Sequence, residues 1–241
     1  MDITLLSVNW NQLPCVELLL KSYVYYHYQG EPLKLMLVDN GSTDGSKEWL
    51  RENHIPFFDY QENVGHENAL NALYEEVRTK YVLLTDTDVE FKDDVWGYLY
   101  LLNDKVISAG ELIDKNFMGA TKIKDRISPW FWLFDCEATK KAGIERFRTK
   151  EDWTYDVGSE FWESIQANGF SNYHIERKPG NQDVDIVSMR YDKFDHIGKV
   201  SWDVFNKHQD RIGEVTMRRE YVKSRLSKYQ HIDLKDKFIY G

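Results

Sequence analysis

Two carboxylates stand one residue apart in Asp86-Thr87-Asp88, directly after the apolar run Tyr81-Val82-Leu83-Leu84-Thr85. In an extended segment, residues i and i+2 project to the same side, so both acids can face one ligand. Like charges that close repel unless a cation or hydrogen-bond donors compensate them, and hard cations such as Mg2+ or Mn2+ take oxygen ligands. An Asp-x-Asp tripeptide by itself is common in surface turns. Its place at the end of a buried-type strand raises this one above that background. Three other polar clusters share the placement: Asn9, Asp39 to Ser42, and Asn63 to Asn68.

The elements that must position these clusters follow from hydrophobic period and turn chemistry. Ile3 to Val8 reads as a strand, and Leu13, Val16, Leu19, Leu20 and Tyr23 recur at helical spacing. Leu33 to Val38 reads as a second strand, ending in the turn-rich Asp39-Asn40-Gly41-Ser42-Thr43-Asp44-Gly45 before a short helix over 46–52. A third strand is expected over Ile55 to Tyr60, a helix through Ala69, Leu70, Leu73 and Val77, and a fourth strand over Tyr81 to Thr85. This alternation predicts an α/β fold: a Rossmann-like, mainly parallel sheet covered by helices on both faces, with its ligand crevice at the strand C-termini. Beyond about residue 103 the pattern is irregular, with helices expected at Ala138 to Ala142 and Ser159 to Asn168. The domain is expected to span 1–202, with halves at 1–103 and 104–202, followed by a charged helical tail over 203–241. Lys207 to Lys228 holds seven Lys or Arg against three Asp or Glu. A solvated helix is the first expectation there, and a surface meeting an anionic acceptor or a membrane is the second.

Composition excludes several classes. A formal charge of −9 argues against a nucleic-acid partner, since proteins that grip phosphate backbones carry a basic excess. An anionic ligand would need a bound cation or helix N-termini. No Gly-x-Gly-x-x-Gly follows the first strand, which disfavours a dinucleotide-dependent dehydrogenase. Cys15 and Cys136 have neither metal nor redox spacing and are expected to be buried free thiols. With no basic leader and no apolar run of about 18 residues, a soluble cytoplasmic protein is expected.

The ordered motifs Val38-Asp39-Asn40-Gly41-Ser42-Thr43-Asp44-Gly45-Ser46, Asn63-Val64-Gly65 with Ala69 and Asn71, and Leu84-Thr85-Asp86-Thr87-Asp88 together resemble glycosyltransferase family 2, of the GT-A fold. The resemblance covers roughly the first hundred residues well and continues more loosely to about residue 200. It implies an inverting, metal-dependent transfer of a sugar from a nucleoside-diphosphate sugar, with UDP as the default, to a glycan or glycoconjugate acceptor. It makes 1–103 the donor half and 104–202 the acceptor half. It places the nucleotide on Ser7, Asn9, Asp39 and Ser42, and the donor near its diphosphate on Asn63, Gly65 and Asn68. Asp86 is then the contact to ribose or metal-bound water, Asp88 the direct ligand of Mn2+ or Mg2+, and His196 a third ligand or diphosphate contact with Lys199 beside it. On the acceptor side the family's acidic pair is replaced by Tyr155-Asp156, so Asp156 is the candidate base and Glu160, one helical turn on, its alternative. Asp156 reads equally as a helix cap. Trp130, Phe131, Trp132 and Trp153 suit either sugar stacking or the core, with Trp130 after Pro129 the most loop-like. The Gln-x-x-Arg-Trp motif of processive synthases is absent, which favours transfer of one sugar.

Other classes fit less of the chain. Asp86 and Asp88 also match the nucleophile pattern of haloacid-dehalogenase-type phosphohydrolases, but Asp183 and Asp185 are a poor later acidic pair and the Asp39 loop is left unexplained. A sugar-1-phosphate nucleotidyltransferase would need a Gly-rich loop near the first strand. A non-catalytic nucleotide-sugar-binding module would bind without turnover.

Overall fold

The computed structural model describes residues 2–115, 123–144, 146–149, 154–179, 187–198, 200 and 212–241. In chain order the elements are β1 (Ile3–Asn9), α1 (Leu13–His27), β2 (Leu33–Asn40), α2 (Ser46–Glu52), β3 (Phe58–Tyr60), α3 (His66–Glu76), β4 (Tyr81–Thr85) and β5 (Val89–Phe91). They continue with β6 (Val106–Ile113), β7 (Arg126–Asp135), α4 (Cys136–Lys141), α5 (Ser159–Ala167), β8 (Ser171–His174), β9 (Met189–Arg190), β10 (Phe194–His196), α6 (Ile212–Leu226) and β11 (Phe238–Tyr240).

The central strands are apolar at successive positions because both faces of the sheet are covered. Leu5, Leu35, Leu37, Leu83 and Leu133 point to one face, where they meet Val16, Leu19, Leu20 and Tyr23 of α1. Their neighbours Leu6, Met36, Val38, Leu84, Trp132 and Phe134 point to the other, against Leu70 and Leu73 of α3 and Phe161 and Ile165 of α5. The sheet order is β11-β2-β1-β4-β7-β6-β8, with β3 also on β2. Pairing is parallel from β11 through β4 and between β6 and β8, while β7 runs antiparallel to both β4 and β6. The expected mainly parallel α/β sheet is therefore present, with one reversed strand, β7, between β4 and β6. A separate small sheet, β5-β10-β9, stands beside it.

Some boundaries move for local reasons. The third strand is shorter than expected: Ile55 gives its N–H to Leu50 O at the end of α2, and Pro56 has none to give. Helix α4 starts two residues early because the Asp135 side chain caps it, accepting from Ala138 N–H at 2.9 Å. Cys15 and Cys136 are buried free thiols, and burial pushes the Cys136 thiol up to about 12.

The tail corrects the expectation of a solvated helix. Within α6, Val215, Arg218 and Val222 are buried, and Val222 packs with Cys15, Leu18, Ile197 and Tyr229. Strand β11 then pairs in parallel with the start of β2, Phe238 opposite Leu33. One face of α6 has partners inside the fold, while Glu220, Lys223 and Ser224 stay exposed.

Candidate active site at the strand ends

Asp86, Asp88 and His196 bring one ligand atom each to within 4.8 Å of one another. His196 Nε2 lies 3.1 Å from Asp88 Oδ1 and 3.9 Å from Asp86 Oδ2. The two acids sit in the link from β4 to β5, and the imidazole arrives from β10, which lies antiparallel to β5 with His196 opposite Val89. The Ile197 N–H donates to Asp88 O at 2.9 Å, continuing that ladder to the acid itself. Asp88 and His196 are nearly buried, whereas the Asp86 side chain keeps 31% of its surface, so the cluster opens on the Asp86 side. Burial, and next the Asp88 charge, hold the Asp86 carboxyl above the usual aspartate value; His66 and His196 oppose this and Asp156 adds to it.

The donor set suits a divalent cation. Asp88 Oδ1 and His196 Nδ1 are buried without a hydrogen-bond partner, and two carboxylates with one imidazole are ligands that Mn2+ and Mg2+ accept. Behind the ring, Trp130 stacks on His196 with centroids 4.8 Å apart and planes 11° apart. Its indole N–H donates to Tyr191 Oη at 3.0 Å, and the Tyr191 hydroxyl donates to Glu111 Oε2 at 2.5 Å. Arg177 completes the chain with a 2.8 Å bond to Glu111 Oε1. Trp130 is thus held by its polar edge with its face on the imidazole. Phe131 and Trp132 lie in the core, and Trp153 and Lys199 fall outside the described residues.

The four residues expected at the nucleotide are buried and brace the ends of β1, β2 and β4. Ser7 and Asn9 on β1 and Asp39 on β2 have no exposed surface, and Ser42 keeps 8%. Ser7 Oγ donates to Thr85 O at 2.8 Å, tying β1 to the residue before Asp86. Asn9 Nδ2 donates to Asp39 Oδ2 at 2.8 Å, while the Ser42 N–H donates to Asp39 Oδ1 at 2.8 Å. Both Asp39 oxygens are therefore engaged within the protein. Asn63 Oδ1 accepts from Asn40 Nδ2 at 3.0 Å and from Gly65 N–H at 2.8 Å, and Asn68 Nδ2 donates to Val64 O at 2.8 Å. Gly41 lets these two loops touch: its φ is +81°, and a Cβ there would stand 2.5 Å from the Glu62 carbonyl carbon.

Asp156 and Glu160 meet cations of the second half. Asp156 Oδ2 is 3.0 Å from Arg126 Nε, and its Oδ1 accepts the Val157 N–H at 2.8 Å; α5 begins at Ser159 after Gly158 with no side-chain cap, so the carboxylate of Asp156 does not cap it. Glu160 Oε1 is 3.1 Å from Arg148 Nη1.

The sequence matches the model of Glycosyl transferase family 2 over residues 9–144, more than half of the chain. The chain belongs to that family. Sixty-six residues are 39% identical to a teichoic acid poly(glycerol phosphate) polymerase of Staphylococcus epidermidis, a stretch equal to 25% of this chain and 9% of that protein. The fold is similar to the mannosyltransferase PcManGT of Pyrobaculum calidifontis, solved with GDP-Man and Mn2+, at TM-score 0.56 and 19% identity over 72% of this chain and 54% of that one. It is similar to S. aureus TarS at TM-score 0.56 and 12% identity, over 95% of this chain and 43% of that one. These likenesses establish the GT-A fold. The chain spans about half or less of the length of the proteins it matches.

Further polar side chains brace the loops after β1 and β2 and tie α3 to Phe147. Asn11 takes φ +53°, gives its N–H to Ser42 Oγ and accepts the Thr43 N–H at 2.7 Å. Asp44 Oδ2 accepts the first N–H of α1, from Leu13, at 2.8 Å. Asn11, Pro14, Asp44 and Arg219 line a cavity of about 300 Å³ between the loops after β1 and β2 and α6. Asn71, quoted for the family pattern, holds both backbone groups of Phe147. The type of Asn11 and its place after β1 were a usable hint to that cavity; Arg219 reaches it from the distant C-terminal helix.

Proposed function

We propose that this protein moves one sugar from a nucleoside-diphosphate sugar to a hydroxyl of a glycan or glycoconjugate, with inversion, using Mn2+ or Mg2+ held by Asp86, Asp88 and His196. The convergence of those three side chains at the end of β4 carries the reading. The ion would take up the charge that grows on the departing diphosphate, which favours the transition state over the ground state. In this reading residues 1–103 form the donor half. The braced loops at Asp39–Ser42 and Asn63–Asn68 shape the nucleotide crevice, with Ser7, Asn9 and Asp39 keeping its walls in register and Gly65 and Asn68 near the diphosphate.

The half from 104 to 202 presents the acceptor. Asp156 is the base in this reading: it is partly exposed and its charge reaches Asp86. Glu160 is the alternative. The acceptor hydroxyl, losing its proton to Asp156, attacks the anomeric carbon in line with the leaving group. UDP is the favoured nucleotide; PcManGT was solved with GDP-Man and TarS with UDP-GlcNAc, so the fold accommodates both bases. Among the described residues no helix is long and apolar enough to cross a membrane. A peripheral contact of the C-terminal segment with an anionic surface belongs to the same proposal, through the exposed Lys223 and Lys228.

The test is a thermal-shift panel of UDP, GDP and dTDP with Mn2+ or with chelator. A native-state ligand at about a hundred times its Kd adds about 2.7 kcal/mol. One nucleotide should stabilise the protein most, and clearly more with the metal than in chelator; equal shifts in chelator would remove the metal from the proposal.

A further inference from the structure

We infer that helix α6 is the clasp of the cation site, with Arg225 and Arg218 as positioning residues that hold His196 against Asp88. This rests on the metal reading above. His196 and Asp88 come from distant parts of the chain and meet through β5 and β10, a ladder of three registered pairs: Phe91 with Phe194, Glu90 with Asp195 and Val89 with His196. So short a pair is marginal alone.

Helix α6 supplies what the ladder lacks. Arg225 forks onto Glu90, Nε at 2.8 Å and Nη2 at 2.9 Å, and Glu90, two residues after Asp88, is fully buried. Tyr229 Oη donates to the same carboxylate at 2.8 Å. Opposite it, Lys92 pairs with Asp195, the residue before His196, at 2.7 Å. Two helical turns earlier on the same face of α6, Arg218 Nη1 donates to the carbonyls of Val187 at 2.8 Å, Ile197 and Gly198 at 3.3 Å. It therefore grips the chain directly after His196. There Gly198 turns with φ +65°, and a Cβ on it would come within 3.3 Å of His196 Cε1.

Buried ion pairs contribute little net stability against an apolar replacement, and their best-attested use is to fix one register. The Glu90–Arg225 fork, one pair from His196 on β10 and two residues from Asp88 on the β5 side, fits that use. Ligands of a cation keep their affinity only while the residues behind them keep them oriented, and losing such support costs 10- to 100-fold.

The experiment compares Mn2+ affinity, read as free Mn2+ by electron paramagnetic resonance, in the wild type, Arg225→Lys, Arg225→Gln and the double variant Glu90→Gln/Arg225→Gln. Nucleoside-diphosphate binding in chelator and a thermal melt accompany each. The wild type should bind. Arg225→Gln, which leaves a buried carboxylate unpaired, should bind at least about tenfold more weakly and melt earlier. The double variant removes the buried charges, so its melting temperature should recover while its Mn2+ affinity does not. Arg225→Lys keeps the charge but not the fork and should lose affinity several-fold. Wild-type Mn2+ affinity in either the double variant or Arg225→Lys, folded by its melt, overturns the positioning role. A wild type that binds no Mn2+ overturns the metal reading itself, and metal-free nucleotide binding that falls in parallel shows a general loss of structure instead of a loss of positioning.

Discussion

Lowering the pH from 7 to 5 should cost this fold about 2 kcal/mol through one side chain, His27. The imidazole ends α1 with no exposed side-chain surface, among the rings of Tyr23, Phe91 and Trp96. Its two nitrogens have fixed roles. Nδ1 lies 2.9 Å from the Tyr23 carbonyl, which only accepts, so Nδ1 carries the proton; Nε2 accepts the Val95 N–H at 3.1 Å. Protonating Nε2 breaks that second bond and buries a charge. Burial brings the pKa down to about 4 from an ordinary 6.5, against the opposing pull of the Tyr23 carbonyl, Asp94 and Asp93, with Lys193 adding a little to the fall. The sign follows from proton counting. Between pH 6.5 and about 4 the unfolded chain holds a proton that the folded chain does not, so stability is present in full above 6.5 and declines as pH falls through that window. With about 1.36 kcal/mol per unit, the loss at pH 5 is about 2 kcal/mol. Urea unfolding of the wild type and of His27→Gln at both pH values isolates it, because the other titrating groups are common to both. The variant should start less stable, having lost ring packing, yet decline less by that amount. Parallel declines would refute the reasoning.

Asp88→Asn should abolish the Mn2+-dependent part of nucleotide stabilisation, leaving the metal-free part within about twofold, as read by the thermal-shift panel. Asp156→Asn should lower kcat by about 100-fold or more with donor binding unchanged by calorimetry, whereas Glu160→Gln should change kcat little; the reverse pattern transfers the base role to Glu160. Gly41→Ala places a Cβ 2.5 Å from backbone at φ +81°, whereas Gly30→Ala, at φ +101°, meets nothing within 4 Å. Urea unfolding should show about 1 kcal/mol lost at Gly30 and clearly more at Gly41, where a steric clash adds to the backbone strain.

The local patterns of the sequence carried the architecture of the first half. A two-residue period shared by two faces gave mostly apolar runs at Ile3–Val8, Leu33–Val38 and Tyr81–Thr85, and the helical spacing of Leu13 to Tyr23 marked α1; these signals span single elements and need no distant partner. The spacing of Asp86 and Asp88 is likewise local. The approach of His196 to Asp88 is not, and only the family pattern pointed to it.

What the tertiary structure alone decided is which polar groups meet. The family pattern put the nucleotide on Ser7, Asn9 and Asp39; only the packed chain shows that Asn9 also bonds Asp39, Ser7 the Thr85 carbonyl and Asp39 the Ser42 N–H. The C-terminal segment read as solvated because it is charged, yet Arg218 and Arg225 find backbone carbonyls and a buried Glu90. A residue's type and spacing state what it can bond to, and packing determines whether water or a distant part of the same chain takes the bond. For charged groups the two outcomes look identical in one dimension.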